Sequence, residues 1–359
     1  MPAWGHAWLR RAGGPHPPGT ARPWGERLRP PFAGRRYHPA LIAVLVLSVA
    51  GSAILGHQLG SSSAKPATSP TRQLTVIDPY AIGGTWYKGN LHVASVRGVG
   101  KDLPKALGAW YAAHGYAFLG ISDMNTYTWP EEYGSRALPG VPTVGATYPF
   151  ADLLAIGIDH WLPAQSLQGA IDWIAADGGL PVLAEPLSPA KPQSLVAVMG
   201  LHGLYGLEVY DARLAQAGAA GADATELWDR LLSAGNRVFA VAGDDASGVN
   251  DPAIGSAWIS VLAASDDRLS LLSSLRRGAF VASTGAEFTD LTVVGSTITA
   301  EAVPGSSLRF IGRGGRLLRT VSTNSGSYRV TGNEGYVRVE AVRDDGARAW
   351  SQPFFISWR

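Results

Sequence analysis

Four residues able to do chemistry close four apolar runs of this chain: His92 in WYKGNLHVAS, Asp123 in YAFLGISD, Glu185 in LPVLAEP and Asp245 in RVFAVAGDDAS. Imidazole nitrogen and carboxylate oxygen are donors for Zn or Mn, and two carboxylates can share general acid and base work. The chain has no cysteine, so a metal would have to be held by His, Asp or Glu. In an extended segment residues two apart share a face; Asn90, His92 and Ala94 therefore point one way, and Leu91 and Val93 the other. One acid at a strand end is explained as well by capping of the next helix. Four such ends on one rim are what a barrel with a site presents.

The elements that would position these residues alternate. A helix opened by Asp102 runs to about His114 and stops at Gly115, and Ser166 to Asp177 is helical up to Gly178-Gly179. Asp223 to Ala234 and Asp266 to Arg277 are further helices, with GLYGLEVYDA, RVFAVAGDDAS and AFVAST as strands around them. Glu208 falls inside one of these strands and is not counted as a ligand. The alternation argues for a sheet with crossover helices, closed or open. No G-x-G-x-x-G lies between a strand and a helix, which removes the main support for a dinucleotide fold and favours a barrel over residues 78–289. From residue 290 to 359 short alternating strands with Gly, Asn and Asp turns predict a small antiparallel β domain.

At 359 residues, with 46% hydrophobic and 16% charged content, the chain can bury a large core. Its formal charge of +2 is concentrated at the start, where seven arginines face one glutamate before residue 40. The remainder is mildly acidic and carries no nucleic-acid footprint. Residues 1–39 are rich in Pro, Gly and Arg, with Trp4, Trp8 and Trp24 in no helical or strand period, which predicts a disordered basic arm. LIAVLVLSVAGSAILGHQLG follows; without a formal charge, about twenty residues at ~1.5 Å each span a ~30 Å hydrocarbon layer. Residues 40–60 are therefore expected to be a transmembrane helix, with a cleaved signal peptide as the rival. Arginines before it place the N-terminus in the cytoplasm and the folded part outside. Residues 61–77 have linker composition.

Several stretches together resemble the PHP (polymerase and histidinol phosphatase) superfamily, in particular its CehA/McbA-like metallohydrolase branch. YKGNLHVAS is similar to that family's GDLHVHS strand, HGYAFLGISDMNTY to its GYDFLAITDHNTY, AEP to its AHP, and GLEVYDA followed by WDRLLSAGNRVFAVAGDDAS to its GIEVYN and WD-LL-AG-R--AVGGDDAH. The resemblance covers roughly residues 86–358 and implies a distorted (β/α)7 barrel whose rim binds two or three divalent metals. Carried over by position, His92, Asp123 and Asp245 are kept. Ala94, Val99, Met124, Pro142 and Ser247 stand where further ligands are expected, and Glu185 replaces a histidine. Ala, Val, Met and Pro offer no hard donor.

Three functions follow. The first is a membrane-anchored, extracytoplasmic PHP-like protein without metal or catalysis, which binds or scaffolds an unknown small-molecule or cell-surface ligand. The second is a hydrolase of phosphoester, amide or carbamate bonds with one Zn or Mn ion on His92, Glu185 and Asp245, three donors plus water being a known catalytic arrangement. The third is a metal-free hydrolase using two carboxylates among Asp123, Glu185 and Asp245.

Overall fold

The computed structural model describes residues 72–359 except 162, 163, 165 and 192–194. The expected basic arm, the span 40–60 and most of the linker lie outside the described residues. Among those described, no helix is long and apolar enough to cross a membrane.

The first half carries β1 (Leu74–Ile77), β2 (Thr85–Asn90), α1 (Pro104–Ala113), β3 (Phe118–Leu119), α2 (Pro130–Tyr133), β4 (Thr143–Tyr148), β5 (Ala151–Ile156), α3 (Leu167–Ala176), β6 (Leu180–Ala184) and α4 (Leu195–Met199). It continues through β7 (Gly206–Asp211), α5 (Ala212–Gln216), α6 (Thr225–Ser233), β8 (Phe239–Gly243), β9 (Trp258–Ala263), α7 (Arg268–Arg277) and β10 (Phe280–Ser283). Eight strands then follow without a helix longer than one 3-10 turn: β11 (Phe288–Val294), β12 (Thr297–Ala302), β13 (Ser306–Gly312), β14 (Arg316–Val321), β15 (Ser325–Arg329), β16 (Tyr336–Arg343), β17 (Arg348–Ser351) and β18 (Phe354–Trp358).

Helix termini follow local chemistry. Ser166 caps α3 by accepting from Gly169 N, and Asp267 caps α7, which ends at the left-handed Gly278. Asp102 does not cap α1. Pro104 supplies the fixed φ and missing N–H that suit a first helical position, so the helix starts beyond Asp102, whose carboxylate accepts instead from Val249 N at 2.9 Å. On α6 the buried Leu227, Trp228, Leu231 and Leu232 form one apolar face. Each such leucine contributes about 1.5–3 kcal/mol by leaving water.

β4 to β8 form a five-stranded sheet, antiparallel at β4–β5 and β5–β6, parallel at β6–β7 and β7–β8. β2 pairs parallel with β3 and antiparallel with β9. Isolated parallel bridges, Val93 with Ala246 and Leu119 with Gly140, join the two sheets, so β2, β3 and β4 to β8 are linked in a ring of mixed direction. The antiparallel β4–β5 hairpin, unanticipated from sequence, reaches this arrangement without a crossover helix. β3 is short because ladder pairing stops at Leu119. The chain nevertheless continues beside β2, with Gly120 N bonding Asn90 O and Ser122 N bonding Val93 O.

The expected division at residue 290 runs through continuous hydrogen bonding: β9 and β10 belong to a ten-stranded sheet with β16, β17 and β18. β1, expected as linker, pairs antiparallel with β18 in that same sheet. The three-stranded sheet β11-β12-β15 shares a core with it, where Phe288 and Ile298 meet Phe310, Val337 and Phe354.

Candidate metal centre

His92 lies two residues past the end of β2. Leu91 and Val93 on either side are buried in separate apolar clusters, and the Asn90 side chain accepts from His92 N at 2.9 Å while donating to Ala257 O at 3.1 Å. The imidazole is thereby fixed and almost completely buried. Gly243, at the end of β8, permits its packing against Glu208; a Cβ there would lie 2.7 Å from both Glu208 Oε1 and His92 Cβ.

The ring nitrogens face different groups. Nδ1 is 2.9 Å from Glu208 Oε1 and 3.9 Å from Asp211 Oδ2, whereas Nε2 is 3.4 Å from Asp245 Oδ1 and makes no hydrogen bond. One donor atom each from His92, Glu185 and Asp245 lies within 4.8 Å of the other two. The sequence-predicted metal set is therefore brought together, and an orphaned buried nitrogen pointing into it fits a cation. A histidine whose Nδ1 is engaged by a carboxylate and whose Nε2 is free is the arrangement that fixes the tautomer of metal-binding imidazoles. A second group, His92, Glu208 and Asp211, shares the histidine.

Glu208, set aside as a ligand on sequence, is the hub: Oε1 takes Nδ1 of His92 and Oε2 accepts from Glu185 N at 3.0 Å. Asp211 caps α5 through Leu214 N, and its Oδ2 is buried without a partner. The available signal for both was a carboxylate placed in or ending an otherwise apolar strand. Glu185 and Asp245 adopt left-handed backbone, φ 41° and 49°, as does Asn125 at 54°. For such residues this costs about 1–3 kcal/mol and persists where surroundings over-determine it, commonly at sites.

Electrostatics bind the group together. Burial lowers the His92 proton affinity, but Glu208, Asp245 and Asp211 outweigh it and hold the imidazole well above the ordinary histidine range. Burial and the neighbouring Glu208 push Asp211 up to about 8, against the opposing pull of His92. Burial also raises Glu185 and Asp245, against the opposing pull of His92 and, at Asp245, of Arg213. Arg213 from α5 places Nε 2.8 Å from Asp245 Oδ2. Near Glu185, Lys191 donates to both oxygens of Asp152 at 2.6 and 2.8 Å.

Asp123 has a different position. Ser95 N and Oγ donate to it at 2.6 and 2.5 Å and Thr128 Oγ1 at 2.5 Å, so the carboxylate ties the turn after β2 to the loop after β3. It belongs to neither metal-capable group, and three neighbouring donors hold its carboxylate in place. Ala94 is buried and donor-free, Val99 is exposed, Met124 lies against Gly145, and Ser247 bonds Asp251. The open hollow bounded by Pro130, Glu131, Arg136 and Arg268 contains none of the residues of this centre.

No family model matches the chain, and no curated protein matches it. Among solved structures it is similar to a two-domain protein from Bacteroides vulgatus containing a predicted PHP-like metal-dependent phosphoesterase, at 12% identity and TM-score 0.47, over 80% of this chain and 99% of that one. It is also similar to a putative metal-dependent phosphoesterase from Bifidobacterium adolescentis (16% identity, TM-score 0.36, 46% and 89% covered). A third is an amidohydrolase from Chromobacterium violaceum with bound sulfate and no metal (14% identity, TM-score 0.35, 45% and 89% covered).

Proposed function

We propose that this protein is a PHP-like hydrolase in which the ring of β2 to β8 is a distorted barrel and one divalent metal is held by His92, Glu185 and Asp245. The observation that carries this reading is the buried Nε2 of His92, which makes no hydrogen bond and faces Asp245 Oδ1 at 3.4 Å, with Glu185 in the same group and Glu208 on Nδ1. A bound ion would supply Lewis-acid polarisation of the scissile group and of water. The chain's own groups do the positioning: Asn90 and Glu208 set the imidazole, and Glu208 also holds the Glu185 backbone. Net reaction is addition of water across a phosphoester, amide or carbamate bond. Convergence of the donors within 4.8 Å suits a single cation better than a two-carboxylate cleft, where the carboxyl groups stand about 5–9.5 Å apart with the substrate between them.

The test is hydrolysis of nitrophenyl phosphate mono- and diesters, a nitrophenyl carbamate and an anilide by metal-stripped full-length protein with added Mn²⁺ or Zn²⁺. Metal-dependent turnover that disappears in Asp245→Ala supports the reading; no turnover with any of them and no bound metal would leave a non-catalytic binding module. That second reading is favoured by the donor-free residues at positions 94, 124 and 142. The membrane tether is proposed separately on the uncharged run Leu41 to Gly60. Protease added to intact cells should digest the folded part, and complete protection would overturn that topology.

A further inference from the structure

Asp245 must satisfy two conditions to serve the centre: its backbone has to stay in the left-handed region, and Oδ1 has to face His92 Nε2 while Oδ2 points elsewhere. Both conditions are met by one side chain. Arg213 donates through Nε to the Asp245 carbonyl oxygen at 2.6 Å and through Nη2 to the same oxygen, and Nε also lies 2.8 Å from Oδ2. A guanidinium is a rigid planar fork, so gripping carbonyl and carboxylate of one residue at once restricts both its φ/ψ and its χ1. Asp245 has φ 49°, and its other oxygen, Oδ1, is left 3.4 Å from Nε2.

The fork is itself braced. Arg213 Nη2 stands 3.3 Å from Asp251 Oδ2, and that oxygen accepts from Ser247 N at 3.0 Å and Ser247 Oγ at 2.8 Å; Asp251 Oδ1 accepts from Ala253 N at 3.0 Å. Ser247 is the residue that stands where the sequence resemblance expects a ligand histidine. Its hydroxyl is turned to Asp251 and so to the support of Arg213.

We infer that Arg213 is a positioning residue which, braced by the Ser247–Asp251 pair, holds Asp245 in its left-handed conformation and aims Oδ1 at the His92 nitrogen. The inference rests on the single-metal reading. Two effects of Arg213 oppose each other there. Its charge repels a cation, while its grip pre-forms one of only three ligands. With three donors, loss of orientation at one removes a third of the centre, whereas the repulsion is reduced by the two carboxylates that Arg213 already faces. Orientation therefore wins, and the sign of the effect is the test.

Isothermal titration of Mn²⁺ into metal-stripped full-length protein should show affinity falling about 10–100-fold in Arg213→Gln, the range for loss of a group that orients a metal ligand. Arg213→Lys should fall similarly, because an ammonium restores the charge and cannot grip carbonyl and carboxylate together. Asp245→Ala should lose binding, and adding Arg213→Gln to it should change any residual Mn²⁺ affinity by less than twofold, since coupled residues are non-additive. Additive losses in that cycle would show a general structural role and overturn the inference. Tighter binding in Arg213→Gln with recovery in Arg213→Lys would show that Arg213 competes with the metal, and also overturn it. Binding that depends on Asp245 and is indifferent to Arg213 would sink the inference and spare the metal centre. No Mn²⁺ bound by the wild type would remove both.

Discussion

His92 carries the strongest constraint at the scale of single residues, because any metal has to displace a proton that three carboxylates favour. Its folded-state value lies above the ordinary one, so the ion-pair stabilisation it gives the metal-free protein is complete below about pH 6.5 and is lost as pH rises through the raised value. Metal binding runs the other way. Affinity for Mn²⁺ should climb with pH, by about tenfold per unit while the imidazole remains protonated, with proton release measurable by titration in buffers of different ionisation enthalpy. A flat profile between pH 6.5 and 8.5 would show that His92 is not a ligand. Asp123 predicts the complementary result: Asp123→Asn disturbs the Ser95 and Thr128 hydrogen bonds and should cost about 1–3 kcal/mol in urea unfolding, with Mn²⁺ affinity changed less than twofold. The strand-end placement of His92, Glu185 and Asp245 could be read from sequence because apolar runs ending in a polar residue mark a rim. Asp123 satisfies the same pattern. What separates it is which donors its oxygens meet, and those come from residues 28 and five positions away, beyond any local pattern.

Among the elements, helices were legible where capping and stop residues are local: α3 starts after Ser166 and α7 ends at Gly278. The β4–β5 hairpin and β9 were missed; β5 and β9 are buried throughout and β4 over its first four residues, without the alternation that exposes a strand to inspection. The tight junction of β8 with the histidine could not be read either, because Gly243 looks like any strand glycine until its neighbour across the ring is known. Gly243→Ala would place a methyl 2.7 Å from Glu208 Oε1 and His92 Cβ, and should lower Mn²⁺ affinity at least tenfold while far-UV circular dichroism stays unchanged. Unaltered affinity would mean that β8 gives way without moving the imidazole. In the β-rich half, Glu334 binds the turn after β15 by accepting from Thr331 N and Oγ1, Gly332 N and Tyr328 Oη. Although burial raises its pKa, these donors outweigh burial and hold it at about 2. A depressed carboxylate gives stability that is present above about pH 4.5 and lost as pH falls towards 2. The wild type should therefore lose stability more steeply than Glu334→Gln over that interval; parallel curves would refute the assignment.

For the whole molecule, the question is whether the two halves fold as one. One sheet runs from β3 through β9 and β10 into β17, β16 and β18, and β1 closes onto β18, so separating the halves would break ladder hydrogen bonds. A second connection lies on α6. Arg338 of β16 grips Asp229 with Nε and Nη2 at 2.8 and 2.7 Å and reaches Glu340 with Nη1 at 2.6 Å, while Tyr336 donates to Asp229 Oδ1 at 2.7 Å. The guanidinium also lies 5.0 Å from the Trp228 ring. The 3-10 turn at Arg313–Gly315 approaches the same helix, with Gly314 N on Ser233 Oγ at 2.7 Å and Gly315, φ 70°, so near Asp229 that a Cβ would meet Oδ2 at 2.8 Å. Asp229, Arg338 and Glu340 are all buried, and removing one member leaves charges without partners at a cost of about 3–5 kcal/mol. Arg338→Met should lower stability by that amount in urea, and Asp229→Leu combined with it should cost less than the two single changes added together. Because the sheet is continuous, every one of these variants should still unfold in a single transition, with tryptophan fluorescence and far-UV circular dichroism superimposing. Two separated transitions in Arg338→Met would show instead that the buried network, rather than the shared sheet, makes the halves cooperative.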